Sequence, residues 1–256
     1  MTTTAKVLQV LRLFDDERRQ LAAHDVVQLL GVSPATAYRY MADLEEAGLI
    51  ERSGPSRYVL GPTVVQLDRQ IRIHDPLIAA ASELMVHLSE RTGGTALLSR
   101  LHSRCVMCVH QIVGKNGPTA VSYERGRAMP LYRGATSKVI LAHLEADELR
   151  RIVSTDRAEL RKAGLPLRFD ELSAQLQALR QTKVCATAGE VDRDVMGWAV
   201  ALHQGRHLLG SLSVLVSRHA PPVNPERIAD QLLRAALRIE GRLESAAAPA
   251  SIQGVK

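Results

Sequence analysis

Gly31-Val-Ser-Pro-Ala-Thr-Ala-Tyr-Arg-Tyr-Met-Ala-Asp-Leu-Glu-Glu-Ala-Gly48 is the stretch on which the reading of this chain turns. Ser33 before Pro34 is a capping residue with proline in the first helical turn, and Gly48 is a stop, so a helix is expected from there to Ala47. Just upstream, Val26, Val27, Leu29 and Leu30 lie in a shorter helical stretch, Ala23 to Leu30, closed by Gly31. Two short helices around a glycine-containing turn outline a helix-turn-helix, whose second helix enters the major groove. Ser33, Thr36, Tyr38, Arg39 and Tyr40 place hydroxyl and guanidinium donors where base edges and phosphates are met. A small helical bundle with a polar face has the same outline, so the flanks must decide.

Outward from this motif the chain reads as a small domain with a wing. Val7, Leu8, Leu11 and Phe14 recur at helical spacing, with Thr4 as a cap. Leu49-Ile50-Glu51-Arg52 and Arg57-Tyr58-Val59-Leu60 flank the turn Ser53-Gly54-Pro55-Ser56, a β-hairpin pattern. Arg52, Ser56 and Arg57 on that hairpin would lie along the DNA backbone or minor groove. Beyond Gly61-Pro62, the spacing of Val64, Leu67 and Ile71 predicts an amphipathic connecting helix. Asp75-Pro76 opens another helix, with Leu77, Ala81, Leu84 and Leu88 on one stripe, so the domain boundary is expected between residues 61 and 76.

The remainder alternates. Strands are expected at Thr95–Leu101, Cys105–Val113, Thr119–Tyr123, Val184–Thr187, Trp198–His203 and Leu208–Val216. Helices are expected at Thr136–Leu144, 147–153 and 170–181, and from Asn224-Pro225 through Ile228, Leu232, Ala235 and Leu243. Strands and helices around a mixed sheet make an α+β fold.

On these residues the chain resembles the IclR-type transcriptional regulators. The family's DNA-binding motif reads much like residues 31–48, with the wing ending Tyr58-Val-Leu-Gly61. Thr92-Gly93-Gly94-Thr95 is similar to the Thr-Gly-Glu-Thr that opens its ligand-binding domain. Pro130-Leu131, Ala135-Thr136-Ser137-Lys138 and Leu141-Ala142 resemble its Pro-Leu-His…Ala…Gly-Lys-Ala…Leu-Ala segment. The motifs fall in the family's order over about residues 4 to 220. The resemblance implies an N-terminal winged helix-turn-helix over 1–61, a linker helix over 62–75, and an effector-binding domain over 76–245 with a GAF/PAS-like antiparallel sheet. The Ala/Ser/Gly-rich tail, 246–256, is expected to be disordered. The implied partners are double-stranded operator DNA, a small organic acid from a catabolic pathway, and further copies of the chain as a dimer or dimer of dimers. Two joined half-sites supply affinity that a single module lacks. The resulting reading is a cytoplasmic transcriptional repressor, with an activator as the alternative.

Matching the motifs places the effector around Ala135, Thr136 and Ser137, where backbone N–H groups at a helix start and two hydroxyls suit an anion. A plain N-cap without ligand would use the same residues. Strand alternation puts Ser211, Ser213 and Leu215 on one face and Leu212, Val214 and Val216 on the other, so the serine face is expected to line the pocket. The family's pattern has serine where Leu215 stands. Glu190-Val-Asp-Arg-Asp-Val-Met-Gly197 corresponds to the family's acidic segment: Asp192 matches one common acid, Arg193 replaces another, and Glu190 is a candidate polar contact. Val200, Met129, Trp198 and Leu215 lean the pocket toward a more apolar acid than a two- or three-carbon one.

Composition narrows the other classes. Hydrophobic residues are 46% and charged residues 23%, as in a globular protein. Aromatics at 3% disfavour a single-strand binder built on stacking platforms. No stretch nears the ~20 apolar residues of a membrane span, and no signal peptide is visible. Three cysteines fit a reducing compartment, and no cofactor is called for. Cys105 and Cys108 have a zinc-ligand spacing, but on a strand they point to opposite faces, and the buried-thiol reading is preferred. His203 and His207 flank a turn rather than share a helix face. An enzyme is the rival class: Ser137-Lys138 could hint at a dyad, but neighbours on a helix start diverge and no Gly-x-Ser-x-Gly elbow exists. The net charge of +6 does not mark the DNA face, because residues 1–60 hold seven Lys/Arg against eight Asp/Glu, whereas 76–256 hold 24 against 17. DNA binding must rest on the placement of Arg39, Arg52 and Arg57, with Asp15, Asp16, Glu45 and Glu46 turned away.

Overall fold

The computed structural model describes residues 2–118 and 122–247 and forms two compact units that meet between Asp75 and Pro76. The first unit contains α1 (Thr3–Leu11), α2 (Ala23–Leu30), α3 (Pro34–Glu46), β1 (Ile50–Gly54), β2 (Arg57–Leu60) and α4 (Pro62–His74). Thr2 caps α1, its hydroxyl accepting from the Ala5 N–H, so the cap lies two residues before the expected Thr4. Ser33 caps α3 as expected, accepting from the Thr36 N–H at 3.3 Å. Val26 of α2 and Ala37, Tyr40, Met41 and Leu44 of α3 recur at helical spacing and bury together with Val10, Leu21, Ile50 and Tyr58. Leu21 and Tyr58 exchange backbone hydrogen bonds of 2.9 and 2.8 Å, which ties the β1–β2 hairpin back to the chain before α2. α4 leaves Val65, Leu67, Ile71 and Ile73 at least half exposed.

The second unit is a six-stranded antiparallel sheet in the order β5-β4-β3-β8-β7-β6. Its strands are β3 (Thr95–His102), β4 (Cys105–Ile112), β5 (Ala128–Pro130), β6 (Cys185–Ala188), β7 (Val195–Gln204) and β8 (His207–Ser217). The helices are α5 (Pro76–Thr92), α6 (Ala135–Ala142), α7 (Ala146–Thr155), α8 (Arg157–Lys162), α9 (Phe169–Thr182) and α10 (Pro225–Ala247). On one face of the sheet Ala96, Leu98, Trp198, Val200, Leu202, Leu212, Val214 and Val216 pack on α5 and α10. On the other, Leu101, Val106 and Ala199 join the core of α6, α7 and α9. Strand period decides which residue serves which core.

Several expectations change. Of the expected strand at 119–123, residues 119–121 lie outside the described residues, and Ser122 and Tyr123 belong to no strand. β5 and α8 carry too few residues to show a period. α10 runs through Ala246 and Ala247, where disorder was expected, and 248–256 lie outside the described residues. No described helix is long and apolar enough to cross a membrane. Cys108 packs beside Leu97 and Leu215, while the Cys105 thiol reaches the His102 carbonyl. Burial pushes the Cys108 and Cys185 thiols up to about 12 and about 11, so both stay protonated at neutral pH.

His143, at the end of α6, and His203, on β7, meet edge to face with ring centroids 5.0 Å apart. Burial holds both imidazoles below their ordinary range, and the neighbouring His203 adds to the effect on His143. The unfolded chain takes up these protons below about pH 6.5 and the folded chain resists them, so stability is present above that pH and is lost as pH falls. The midpoint of thermal unfolding should therefore drop between pH 7.5 and 5.5, and a H143Q/H203Q variant should show a shallower drop. Equal slopes for the two proteins would remove the histidines as the cause.

Candidate functional site

In the first unit α3 exposes Tyr38 and Arg39 and leaves Thr36 half-buried. Tyr38 is 62% exposed, and the Arg39 guanidinium lies 5.9 Å from the centre of the Tyr40 ring. Ser33 is exposed, but its hydroxyl is already engaged with the Thr36 N–H and with the Thr36 hydroxyl at 2.9 Å. Tyr40 departs from the expectation. It is only 3% exposed, because residues 37, 40, 41 and 44 form the buried stripe of the helix, so its ring is core rather than DNA face. On the hairpin, Arg52 donates from Nε to Glu45 Oε1 at 2.9 Å and lies 5.4 Å from the centre of the Tyr58 ring. The Glu45 carboxylate raises its pKa and steadies the wing arginine. Ser56, with φ of 59°, and Arg57 sit exposed at the hairpin turn.

In the second unit, Gly134 begins a buried helix, α6, whose first turn is held by side chains far away in sequence. The Gly134 N–H donates to Glu190 Oε2 at 3.0 Å and the Ala135 N–H to Thr187 Oγ1 at 3.0 Å. Lys138 Nζ donates to Glu190 Oε1 at 2.6 Å. Gly134 has φ of 78°, and a Cβ there would lie 2.9 Å from both the Tyr123 hydroxyl and Val191 Cγ2, so a larger residue would strain the backbone and displace these side chains. Beside this turn is a cavity of about 20 Å³ for the centre of a water-sized sphere. Its walls come from Gly134, Ala135 and Thr136, from Thr187, Glu190, Val191 and Asp192, and from Tyr123, Val195, Gly197 and Leu215. Burial pushes the Tyr123 hydroxyl up to about 12, so it stays neutral; it donates to the Arg133 carbonyl and meets the Ser137 hydroxyl at 2.9 Å. Asp192 accepts from the Ser122 backbone N–H and hydroxyl at 2.9 and 2.6 Å.

Four expected pocket residues therefore border the cavity: Ala135, Thr136, Glu190 and Leu215. Three others do a different job. Thr136 Oγ1 donates to Ser213 Oγ at 3.0 Å and Ser211 Oγ donates to the Thr136 carbonyl at 3.1 Å, so Ser211 and Ser213 fasten α6 to β8 instead of lining the cavity. Ser137 is spent on Tyr123. Met129 packs against Leu97, Cys108, Tyr123 and Leu215, one layer behind the wall. Val200 and Trp198 are corrections: β7 pairs Val200 with Leu212 and Trp198 with Val214, which puts both on the α5/α10 face of the sheet. Tyr123, Gly134 and Thr187 were not foreseen, and the one available signal was the proximity of Gly134 to the Ala135-Thr136-Ser137 motif.

The chain matches two family descriptions, IclR helix-turn-helix domain over residues 3–54 and Bacterial transcriptional regulator IclR C-terminal over residues 72–240. It is 27% identical over 218 residues to the HTH-type transcriptional regulator XynR of Escherichia coli, covering 83% of this chain and 86% of that protein. It is 31% identical over 155 residues to the glycerol operon regulatory protein of Streptomyces coelicolor, covering 58% of this chain and 60% of that protein. Among solved structures, an IclR homologue from Microbacterium hydrocarbonoxydans complexed with 4-hydroxybenzoate shares the fold with a TM-score of 0.78 at 18% identity, covering 95% of this chain and 100% of that one. The IclR of Thermotoga maritima shares it with a TM-score of 0.69 at 21% identity, covering 94% and 98%.

Proposed function

The chain belongs to the IclR family of bacterial transcriptional regulators, and from that premise we propose that it is a repressor that binds a partly palindromic operator as a dimer or dimer of dimers and answers to an organic acid. The observation that carries the DNA half is the exposed pair Tyr38 and Arg39, with half-buried Thr36 near them, on the second helix of the helix-turn-helix, and Arg52 and Arg57 exposed on the wing. Residues 1–61 act as the DNA-binding domain, 62–75 as the linker and 76–245 as the effector domain. The half-exposed apolar side chains Leu67 and Ile71 on α4 support assembly with a second copy, since an amphipathic helix seldom leaves such a stripe in water.

The effector half rests on the buried turn at Gly134 and the cavity beside it, together with the 4-hydroxybenzoate held by the Microbacterium homologue. Effector binding would favour one placement of the DNA-binding domains over another, and operator affinity would change by the difference in effector affinity between the two states. The test is a fluorescence-anisotropy titration with a duplex selected from a random pool. We expect an even number of chains per duplex at saturation and a fall in operator affinity with at least one acid from a panel running from pyruvate to 4-hydroxybenzoate. One chain per duplex overturns the assembly. Indifference to every acid overturns the effector class, and tighter operator binding with acid overturns induction by release.

A further inference from the structure

The anion position at the start of α6 is already taken by the chain itself. Glu190 puts one carboxylate oxygen on the Gly134 N–H and the other on Lys138 Nζ, the two groups that an incoming carboxylate would use. The space left beside it is narrow, admitting the centre of a water-sized sphere over only about 20 Å³. Asp192 lines the same cavity and adds a second negative charge. A carboxylate arriving with Glu190 in place would meet two like charges and find its donors engaged.

We propose that Glu190 is an internal competitor for the effector: it stands in for the effector's carboxylate at Gly134 and Lys138, and the acid binds by exchange with it. This rests on the organic-acid reading of the site given above. Exchange keeps the local charge balance, because one carboxylate leaves as another enters and Lys138 is never left bare in the interior. A way out exists. The Glu190 side chain is 32% exposed and that of Lys138 19%, so rotation about the Glu190 side-chain bonds carries the carboxylate to water. The backbone around it has no need to move, since the Gly189 N–H to Val195 carbonyl bond (2.9 Å) and the Asp192–Ser122 bonds hold its segment in place. The observed affinity is then the intrinsic affinity reduced by the fraction of time Glu190 is out.

A competitor and a ligand contact predict opposite results on mutation. Benzoate, 4-hydroxybenzoate and the uncharged isostere benzamide would be titrated by calorimetry into the full-length wild type, E190Q and E190A. E190Q keeps the side chain's shape but gives up the charged bond to Lys138, so it should bind the two acids about tenfold more tightly than the wild type, the worth of one charge-assisted hydrogen bond. Benzamide should show no such gain, which separates charge competition from a general loosening of the pocket. E190A serves as the second variant should the glutamine disturb the fold, and K138M in the E190Q background should lose the gain. Weaker or unchanged acid binding by both E190Q and E190A, with the wild type still binding, overturns the competitor role alone. No acid binding by any of the proteins overturns the effector reading and this inference with it.

Discussion

Arg39→Ala should lower affinity for the selected operator duplex by about a hundredfold at near-physiological salt while leaving thermal stability within about 0.5 kcal/mol of the wild type. Arg39 is exposed near the middle of α3, with its guanidinium 5.9 Å from the Tyr40 ring and no ion-pair partner among the described residues. A guanidinium that bonds a base edge is worth roughly 1–3 kcal/mol, and the proposed dimer would lose it at both half-sites. The surrounding charge offers little to fall back on. Residues 1–60 carry seven basic against eight acidic side chains, and Arg52 already spends part of its charge on Glu45. The proposed DNA contact therefore rests on a few placed cations rather than on a broad positive field. The experiment is anisotropy with the selected and a scrambled duplex. Equal losses on both would make Arg39 a phosphate contact, and no loss on the selected duplex would remove it from the interface.

Gly61→Ala should damage the same half of the protein by another route. A Cβ at residue 61 would lie 2.3 Å from the Gly48 carbonyl oxygen, 2.9 Å from its carbon and 3.0 Å from the Ile50 carbonyl carbon, all backbone atoms that cannot swing aside. Gly61 stands where the hairpin passes into α4. Its N–H donates to the Leu49 carbonyl at 2.8 Å, and the Thr63 N–H donates to the Gly48 carbonyl at 3.1 Å. Thr63 Oγ1 adds a bond of 3.0 Å to the Ala47 carbonyl. Relieving the overlap must open this junction, at a cost of about 1–3 kcal/mol or more. For a unit of this size the thermal midpoint should fall by roughly 10 °C, and operator binding should fall with it. Acid binding by the second unit should be retained, which calorimetry on the same sample would read. An unshifted midpoint would mean that the close approach has slack.

The contrast between Arg39 and Tyr40 shows how far reading from residues reached. By residue type both belong on the DNA face, since arginine and tyrosine are side chains that touch nucleic acid. The period of α3 says otherwise for Tyr40, since 37, 40, 41 and 44 make one stripe and 36 and 39 lie off it. Here the helical period outweighs residue type. Val200 is a different case. Alternation along β7 could say that Trp198, Val200 and Leu202 share a face, but not which face meets α6. That depends on the register that sets Val200 opposite Leu212.

What the sequence determined by itself was local. The helix-turn-helix, its wing, the stripe of α5 and the alternation of β8 follow from periods of 3.6 and 2 and from caps and turns, all written within a few residues of one another. The order of motifs added the family and with it the fold. What only the tertiary structure decided were meetings between distant segments: Glu190 on the Gly134 N–H across 56 positions, and Thr136 on Ser213 across 77. The serines expected to greet a ligand are spent on holding a helix, and the glutamate expected to touch one binds the Gly134 N–H and Lys138. No local pattern encodes such contacts, because a hydrogen-bonding side chain settles on whichever partner the packed chain brings within 3 Å.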